Sequence, residues 1–124
     1  MPEMSKGGLV VKRVRGKGRG VFAMNPIAKR SLIECAPILV LKNDDCGGLI
    51  DRYTFDWNDG TCALALGFGS LYNHSYTPNA RYWMYERRRV IEFVAIRDIE
   101  EGEEITINYG GDPSARWKYD FDVR

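Results

Sequence analysis

The chain has 124 residues, of which 44% are hydrophobic and 28% are charged, and its formal net charge at pH 7 is +1. A chain of this length and composition is typical of one soluble globular domain with a sizeable core. We interpret the small net charge as an even balance along the chain, which does not predict direct nucleic-acid binding. The apolar stretches are too short to span a membrane, and residues 1–8 lack the apolar core of a signal peptide.

The three cysteines, Cys35, Cys46 and Cys62, are odd in number and widely spaced. The chain has no CxxC pair and no Cys/His cluster, so the pattern predicts neither a zinc site nor a disulfide framework. We therefore expect all three to be reduced packing residues in a reducing compartment.

The pattern along the chain predicts short strands separated by turns rich in Gly, Asn and Asp. Strands are predicted over residues 9–13, 21–23, 32–35, 38–41, 53–57, 61–66, 81–86, 90–96 and 105–109. Pro37 has no N–H to donate and separates two of these strands, so an edge or a bend is expected there. Residues 43–49 are expected to form a loop, and only residues 69–73 have any helical or 3₁₀ character. The fold class is therefore mostly β, with several small sheets.

The sequence predicts that the chain is divided into three segments. Residues 1–8 are expected to be flexible, residues 9–110 to form the domain, and residues 111–124 to form an aromatic tail. The acidic run over residues 100–104 is expected to be solvated surface, and it could also help to attract a basic peptide tail.

Three short blocks carry polar or glycine residues within otherwise strand-like sequence. Residues 16–20 read GKGRG, residues 72–79 read YNHSYTPN, and residues 104–110 read EITINYG. Buried polar groups cost free energy unless they are hydrogen-bonded, and alternate glycines let a ligand approach the backbone closely. Taken singly, the blocks fit a tight turn, a structural histidine and an aromatic residue at a strand end. No Ser or Cys nucleophile with a partner acid is evident, so the chain does not predict a hydrolytic triad.

Together, and in this order, the three blocks resemble the signature motifs of the SET-domain lysine methyltransferases. The resemblance runs from about residue 9 to about residue 109 and implies a C-terminal pseudoknot that places Asn73 and His74 beside Tyr109. Within the family, residues 63–69, 73–75 and 78–81 are similar to the minimal viral members, which methylate histone H3 as dimers. Arg19 stands where those members have an aromatic residue.

The resemblance also implies the roles of individual residues. Tyr109 is expected to be catalytic, and His74 is expected to organise the cofactor pocket without acting as a general base. The channel for the substrate lysine is expected to contain Tyr53, Tyr82 and Ile107. The residues expected to bind the cofactor are Lys17, Gly18, Arg19, Gly20, Tyr72, Asn73, His74, Tyr109 and Trp117. Tyr82 and Ile107 give conflicting indications of how many methyl groups are transferred, so the sequence does not predict mono-, di- or trimethylation.

The implied activity is methyl transfer from S-adenosylmethionine to a lysine side chain, with S-adenosylhomocysteine as product and no metal. A histone H3 tail is the expected substrate, which would place the protein in the nucleus at chromatin. The alternatives are a non-histone substrate, which would fit the cytosol, and a catalytically idle SET fold that serves as a binding module. A homodimer is possible. The aromatic tail is expected either to cover the active site or to pack on the body or a second subunit.

Overall fold

The computed structural model describes residues 8–16, 18–58 and 60–114 of the chain. The described part contains nine strands: β1 Leu9–Val14, β2 Gly18–Ala23, β3 Leu32–Lys42, β4 Thr54–Asp56, β5 Thr61–Ala65, β6 Asn73–His74, β7 Ala80–Tyr85, β8 Val90–Ala95 and β9 Glu104–Ile107. Two 3₁₀ helices, Asn43–Asp45 and Gly48–Tyr53, lie between β3 and β4. Within the described ranges, no helix has the length and apolar character needed to cross a membrane. The mostly-β prediction is confirmed.

The larger sheet has five antiparallel strands in the order β4-β5-β3-β8-β7. Its centre is β3, which pairs with β8 over residues 32–37 and with β5 over residues 38–42. The expected separation of residues 32–35 and 38–41 into two strands is therefore wrong. Pro37 lies where the pairing passes from β8 to β5, a point at which a strand can tolerate a missing N–H, and its carbonyl accepts the Leu66 N–H at 2.9 Å.

The smaller sheet has four strands in the order β1-β2-β9-β6. In it β9 lies between the early hairpin and β6, antiparallel to β2 and parallel to β6. Asn73 is paired with Thr106, and His74 with Ile107. The expected proximity of Asn73 and His74 to the end of β9 is therefore confirmed.

The hydrophobic core draws side chains from both sheets. Val21, Ile105 and Ile107 of the smaller sheet belong to one buried cluster with Ile91 and Phe93 of the larger sheet. All five are fully buried, and burying a side chain of this size stabilises the fold by about 2 kcal/mol. Both sheets are thereby held in one body, which fixes β6 and β9 relative to β3.

Two segments outside the strands, residues 43–49 and 69–71, contain backbone turns of the 3₁₀ type. The expected loop over residues 43–49 contains one 3₁₀ helix and the start of another. Residues 69–73, expected to form a short helix or a 3₁₀ turn, begin with turns of the 3₁₀ type and lead into β6, so the 3₁₀ alternative is confirmed. Gly69 and Leu71 donate their N–H groups to the carbonyls three residues before them, and neither bond is continued into a helix.

The cysteine prediction is wrong for two of the three residues. Cys46 and Cys62 form a disulfide, whereas Cys35 is a free thiol. The first 3₁₀ helix turns the chain back after β3, which brings Cys46 within 6.3 Å of Cys62 between Cα atoms, a spacing that permits the bond. The disulfide ties the segment that leads to Tyr53 onto β5.

Reduction of this disulfide is expected to destabilise the fold. The bond spans 16 residues of sequence, and a closed loop of this size stabilises a protein by about 3 kcal/mol. Denaturant unfolding with and without a reductant measures the effect, and Cys35→Ser should respond to the reductant as the wild type does. Equal unfolding midpoints for the oxidised and reduced wild-type protein would contradict the prediction.

Candidate active site

An open cleft of about 640 Å³ lies where the tip of the β1–β2 hairpin faces the segment before β6 and the end of β9. Its lining residues are Arg13, Val14, Arg15, Gly16, Gly18, Arg19, Tyr53, Ser70, Leu71, Tyr72, Asn73 and Tyr109. The volume is in the range of small-molecule and cofactor sites. Four separate regions of sequence therefore meet at one cleft: residues 13–16 with 18–19, Tyr53, residues 70–73 and Tyr109.

Tyr109 is held by hydrogen bonds at all three of its polar positions. Its hydroxyl donates to the Tyr72 carbonyl at 2.8 Å, and its N–H donates to Nδ1 of His74 at 2.9 Å. Its carbonyl accepts the Tyr82 hydroxyl at 2.9 Å. A hydroxyl oxygen that donates its proton still has lone pairs with which to accept a bond. Tyr109 thus presents a fixed acceptor at the cleft.

His74 lies behind Tyr109 and is 3% exposed. Because its Nδ1 accepts a hydrogen bond, that nitrogen carries no proton, and a neutral ring must carry its proton on Nε2. The ring contacts Tyr109 and Tyr76 edge to face, with centroids 5.1 and 4.6 Å away. A proton taken up at Nδ1 would break the bond to Tyr109, so this geometry fits an organising role and not that of a base.

Asn73 connects the glycine turn to β9. Its Nδ2 donates to the Arg19 carbonyl at 3.0 Å and to the Glu104 carboxylate at 2.6 Å. Gly20 packs so closely on the Asn73 and Glu104 side chains that a Cβ would collide with both. Gly18 instead faces open space with φ +83°, a conformation that favours glycine and leaves the backbone accessible. Gly18 therefore lines the cleft, whereas Gly20 supports it.

Asn79 is a buried polar residue to which the sequence analysis assigned no role. It is 1% exposed; its Nδ2 donates to the Glu104 carbonyl at 2.8 Å, and its Oδ1 accepts the Thr106 N–H at 2.9 Å. Nδ2 also donates to Glu103 at 3.0 Å. The surface interpretation of residues 100–104 is therefore wrong for Glu103 and Glu104, which are half-buried and bonded to the site's framework. Asn79 thus bonds the main chain of β9 at two positions, and its own buried polar atoms are satisfied by the same bonds.

Tyr72 and Glu34 form a buried support beneath the Tyr72 carbonyl. The Tyr72 hydroxyl donates to Glu34 at 2.7 Å, and the Phe68 N–H donates to the other carboxylate oxygen at 2.9 Å. Burial raises the pKa of Glu34 above its usual 4.5, although both hydrogen bonds oppose the shift. Burial, and then the neighbouring carboxylate, raise the pKa of Tyr72 well above 10.0. Tyr72 therefore stays protonated as a donor and keeps its backbone in place for Tyr109.

Sequence reasoning assigned no role in the site to Glu34, Asn79 or Glu104, although Asn79 and Glu104 lie within two of the three polar blocks. The available signal for Glu34 was a lone carboxylate inside an apolar strand, which is costly to bury unless it is bonded. Asn79 follows a proline in a turn, a setting that is common without any role in a site.

The predicted site residues fall into three groups. Gly18, Arg19, Tyr53, Tyr72, Asn73 and Tyr109 line the cleft. Gly20, His74 and Tyr82 lie behind the lining, and Ile107 is fully buried in the core. Lys17 and Trp117 lie outside the described residues. Within residues 8–16, 18–58 and 60–114, no group of three or more His, Cys, Asp or Glu side chains is placed to hold a metal ion.

Comparison with known proteins gives consistent matches over this region. The profile of the family described as SET domain matches residues 18–110, which include β2, β6, β9 and Tyr109. The chain is 36% identical over 108 residues to a histone-lysine N-methyltransferase of Schizosaccharomyces pombe that is specific for lysine 37 of H3, covering 82% of this chain and 73% of that protein. It is 34% identical over 56 residues to a SET and MYND domain-containing protein of Dictyostelium discoideum, covering 41% of this chain and 11% of that protein.

Solved structures with the same fold include a Plasmodium falciparum protein assigned as a histone methyltransferase. The two share 28% identity with a TM-score of 0.72, over 85% of this chain and 99% of that one. A chain of ctPRC2, solved with H3K27me3 and H3K27M, has a TM-score of 0.71 at 22% identity, over 86% of this chain and 15% of its own length. The second likeness concerns the fold alone.

Replacement of Glu34 by Gln is expected to remove a pH-dependent component of stability. Because the folded pKa of Glu34 is raised, the unfolded chain loses this proton first as the pH rises above 4.5. The wild type should therefore lose stability relative to Glu34→Gln between pH 4.5 and neutrality. Denaturant unfolding of both proteins across this range measures the difference. The prediction would be contradicted if the difference in free energy of unfolding between the two proteins did not change with pH. It would also be contradicted if the wild type gained stability relative to the variant as the pH rises.

Proposed function

We propose that this chain, which belongs to the SET-domain family and is a protein-lysine methyltransferase, transfers the methyl group of S-adenosylmethionine to a lysine of a histone H3 tail. The convergence of Gly18, Asn73 and Tyr109 on one cleft is the observation that carries the proposal. Identity of 36% over most of the chain to a fungal H3 methyltransferase supports the choice of substrate.

The cleft fits the proposed cofactor in size and in the chemistry of its lining. Gly18 leaves its backbone open to a ligand, and Arg19 supplies a cation for the carboxylate of the methionine moiety. Both Nδ2 bonds of Asn73 are made within the protein, so Oδ1 is the atom that would accept from the cofactor's amino group. The backbone of Tyr72 and Asn73 would meet the remaining polar edges. When bound, S-adenosylmethionine supplies a methyl carbon made electrophilic by its sulfonium.

Methyl transfer requires the substrate lysine to be neutral at its Nζ, although a free lysine has a pKa of ~10.4. An apolar channel disfavours the ammonium, and a nearby positive charge lowers its pKa further. The proton then leaves to solvent, and no strong base is needed in the site. Tyr53, which is 40% exposed at the cleft, would contact the aliphatic part of the incoming lysine.

Tyr109 would orient the neutral amine. Its hydroxyl proton is committed to the Tyr72 carbonyl, so its oxygen accepts an N–H of the amine and directs the nitrogen lone pair toward the methyl carbon. S-adenosylmethionine would supply the methyl group, and the alignment of the amine by Tyr109 would supply much of the rate. Tyr82 acts through Tyr109, because its hydroxyl holds the Tyr109 carbonyl. Tyr82 is therefore a positioning residue in this proposal.

The alternative substrate is a non-histone protein, which the same site chemistry would serve and which would fit a cytosolic enzyme. The intact bonds around Tyr109 disfavour a catalytically idle fold, since they place its hydroxyl oxygen at the cleft. Ile107 as a channel residue, the tail as a lid and the homodimer stay predictions.

Removal of the Tyr109 hydroxyl should abolish most of the activity. Tyr109→Phe is expected to lower methyl transfer to a core-histone mixture by about 100-fold or more, since the oriented acceptor is lost. Tyr85→Phe removes the same group at the exposed end of β7, outside the cleft lining, and should stay within about twofold of wild type. Transfer of labelled methyl from S-adenosylmethionine measures both variants.

Binding of S-adenosylmethionine by the same proteins, followed by titration calorimetry, separates the outcomes. Labelling of one histone that is lost only in Tyr109→Phe supports the proposal. Cofactor binding without histone labelling would move the substrate to a non-histone protein. Equal labelling by Tyr109→Phe and wild type would contradict the catalytic role of Tyr109.

A further inference from the structure

The positive charge of the chain is concentrated at its start. Residues 4–33 contain eight Lys or Arg residues and no Asp or Glu, although the net charge of the whole chain is only +1. The expectation of an even charge balance is therefore wrong. A small net charge conceals a local basic region, and local fields govern binding to an anionic partner.

The basic side chains of this region lie on the exposed β1–β2 hairpin. Lys12, Arg13, Arg15 and Arg19 are all exposed. Arg13 and Arg19 are paired directly across the two strands, an arrangement of like charges that destabilises a sheet. Because β1 is the edge strand of its sheet, the hairpin is accessible from its open side.

These arginines have no carboxylate partner among the described residues. The ion pairs found in the described ranges are Arg88–Glu92 and Arg97–Glu103, both elsewhere. Arg13, Arg15 and Arg19 line the cleft, and none of the lining residues that the structure describes is acidic. The cofactor's single carboxylate would neutralise one cation at most. The surplus charge indicates a second anionic partner at the rim of the site.

We propose that the β1–β2 hairpin contacts the phosphate backbone of duplex DNA that lies beside the substrate lysine. The cations lie on both strands of an exposed hairpin, at the open rim of the cleft and not enclosed within it, which suits a line of phosphates better than a single phosphoryl group. A basic histone tail would be repelled by this rim, whereas the DNA wrapped on a histone octamer would be attracted. This inference rests on the proposed histone substrate.

Fluorescence anisotropy with a short labelled DNA duplex of arbitrary sequence tests the contact directly. The wild-type protein should bind with an affinity that falls as salt rises from about 50 to about 200 mM. Arg13→Gln combined with Arg15→Gln removes two phosphate contacts. The double variant should make the negative slope of log K against log salt less steep by about 2. It should also weaken binding about tenfold at low salt.

Arg87→Gln combined with Arg89→Gln is the matched control, because it removes the same charge from the exposed turn between β7 and β8. It should leave the salt slope unchanged. Equal losses in the two double variants, or no binding of the duplex by the wild type, would overturn the inference. Binding of a phosphoserine peptide without binding of the duplex would also overturn it, in favour of a phosphorylated protein partner.

A ratio of rates separates this inference from the proposed function. The ratio compares kcat/KM on nucleosomes with kcat/KM on a free H3 peptide. It should be about tenfold lower in Arg13→Gln/Arg15→Gln than in the wild type, and the control variant should have the wild-type ratio. No transfer to either substrate, with DNA binding intact, would refute the proposed function alone. Transfer to both with an unchanged ratio would refute the DNA contact alone.

Discussion

The insertion of β9 between β2 and β6 is the constraint on which the rest of the site depends. This strand has only four residues, so its few main-chain bonds are supplemented by the side chain of Asn79, which bonds both Glu104 and Thr106. Once β9 is in this position, Tyr109 follows directly beside His74. The cleft exists because two regions about thirty residues apart in sequence are paired in parallel, with the glycine turn facing them.

Buried polar groups make this arrangement specific, because each is satisfied only when the others are in place. Tyr109 depends on the Tyr72 carbonyl and on Nδ1 of His74, and Tyr72 in turn depends on Glu34. Leaving one buried partner unsatisfied costs about 1–3 kcal/mol. The network therefore restricts the site to one geometry, which a reaction that depends on alignment requires.

Sequence reasoning anticipated the elements whose evidence is local or carried by ordered motifs. Most strands, the convergence of the glycine turn with Asn73 and Tyr109, and the fold class followed from such signals. The continuity of β3 through Pro37 could not be read locally, since it depends on which partner the strand has on each side. The Cys46–Cys62 bond and the contacts of Asn79 join residues that are distant in sequence, so the spacing of residues could not predict them.

The central claim is that this cleft binds S-adenosylmethionine, and hydrogen–deuterium exchange with and without the cofactor tests it most directly. Our account predicts slower exchange of the backbone amides at Gly18 and Arg19 and at Tyr72 and Asn73, two segments that meet only at the cleft. Exchange in the turn between β7 and β8 should not change. Protection that is absent from both segments, or confined to another face of the protein, would contradict the account.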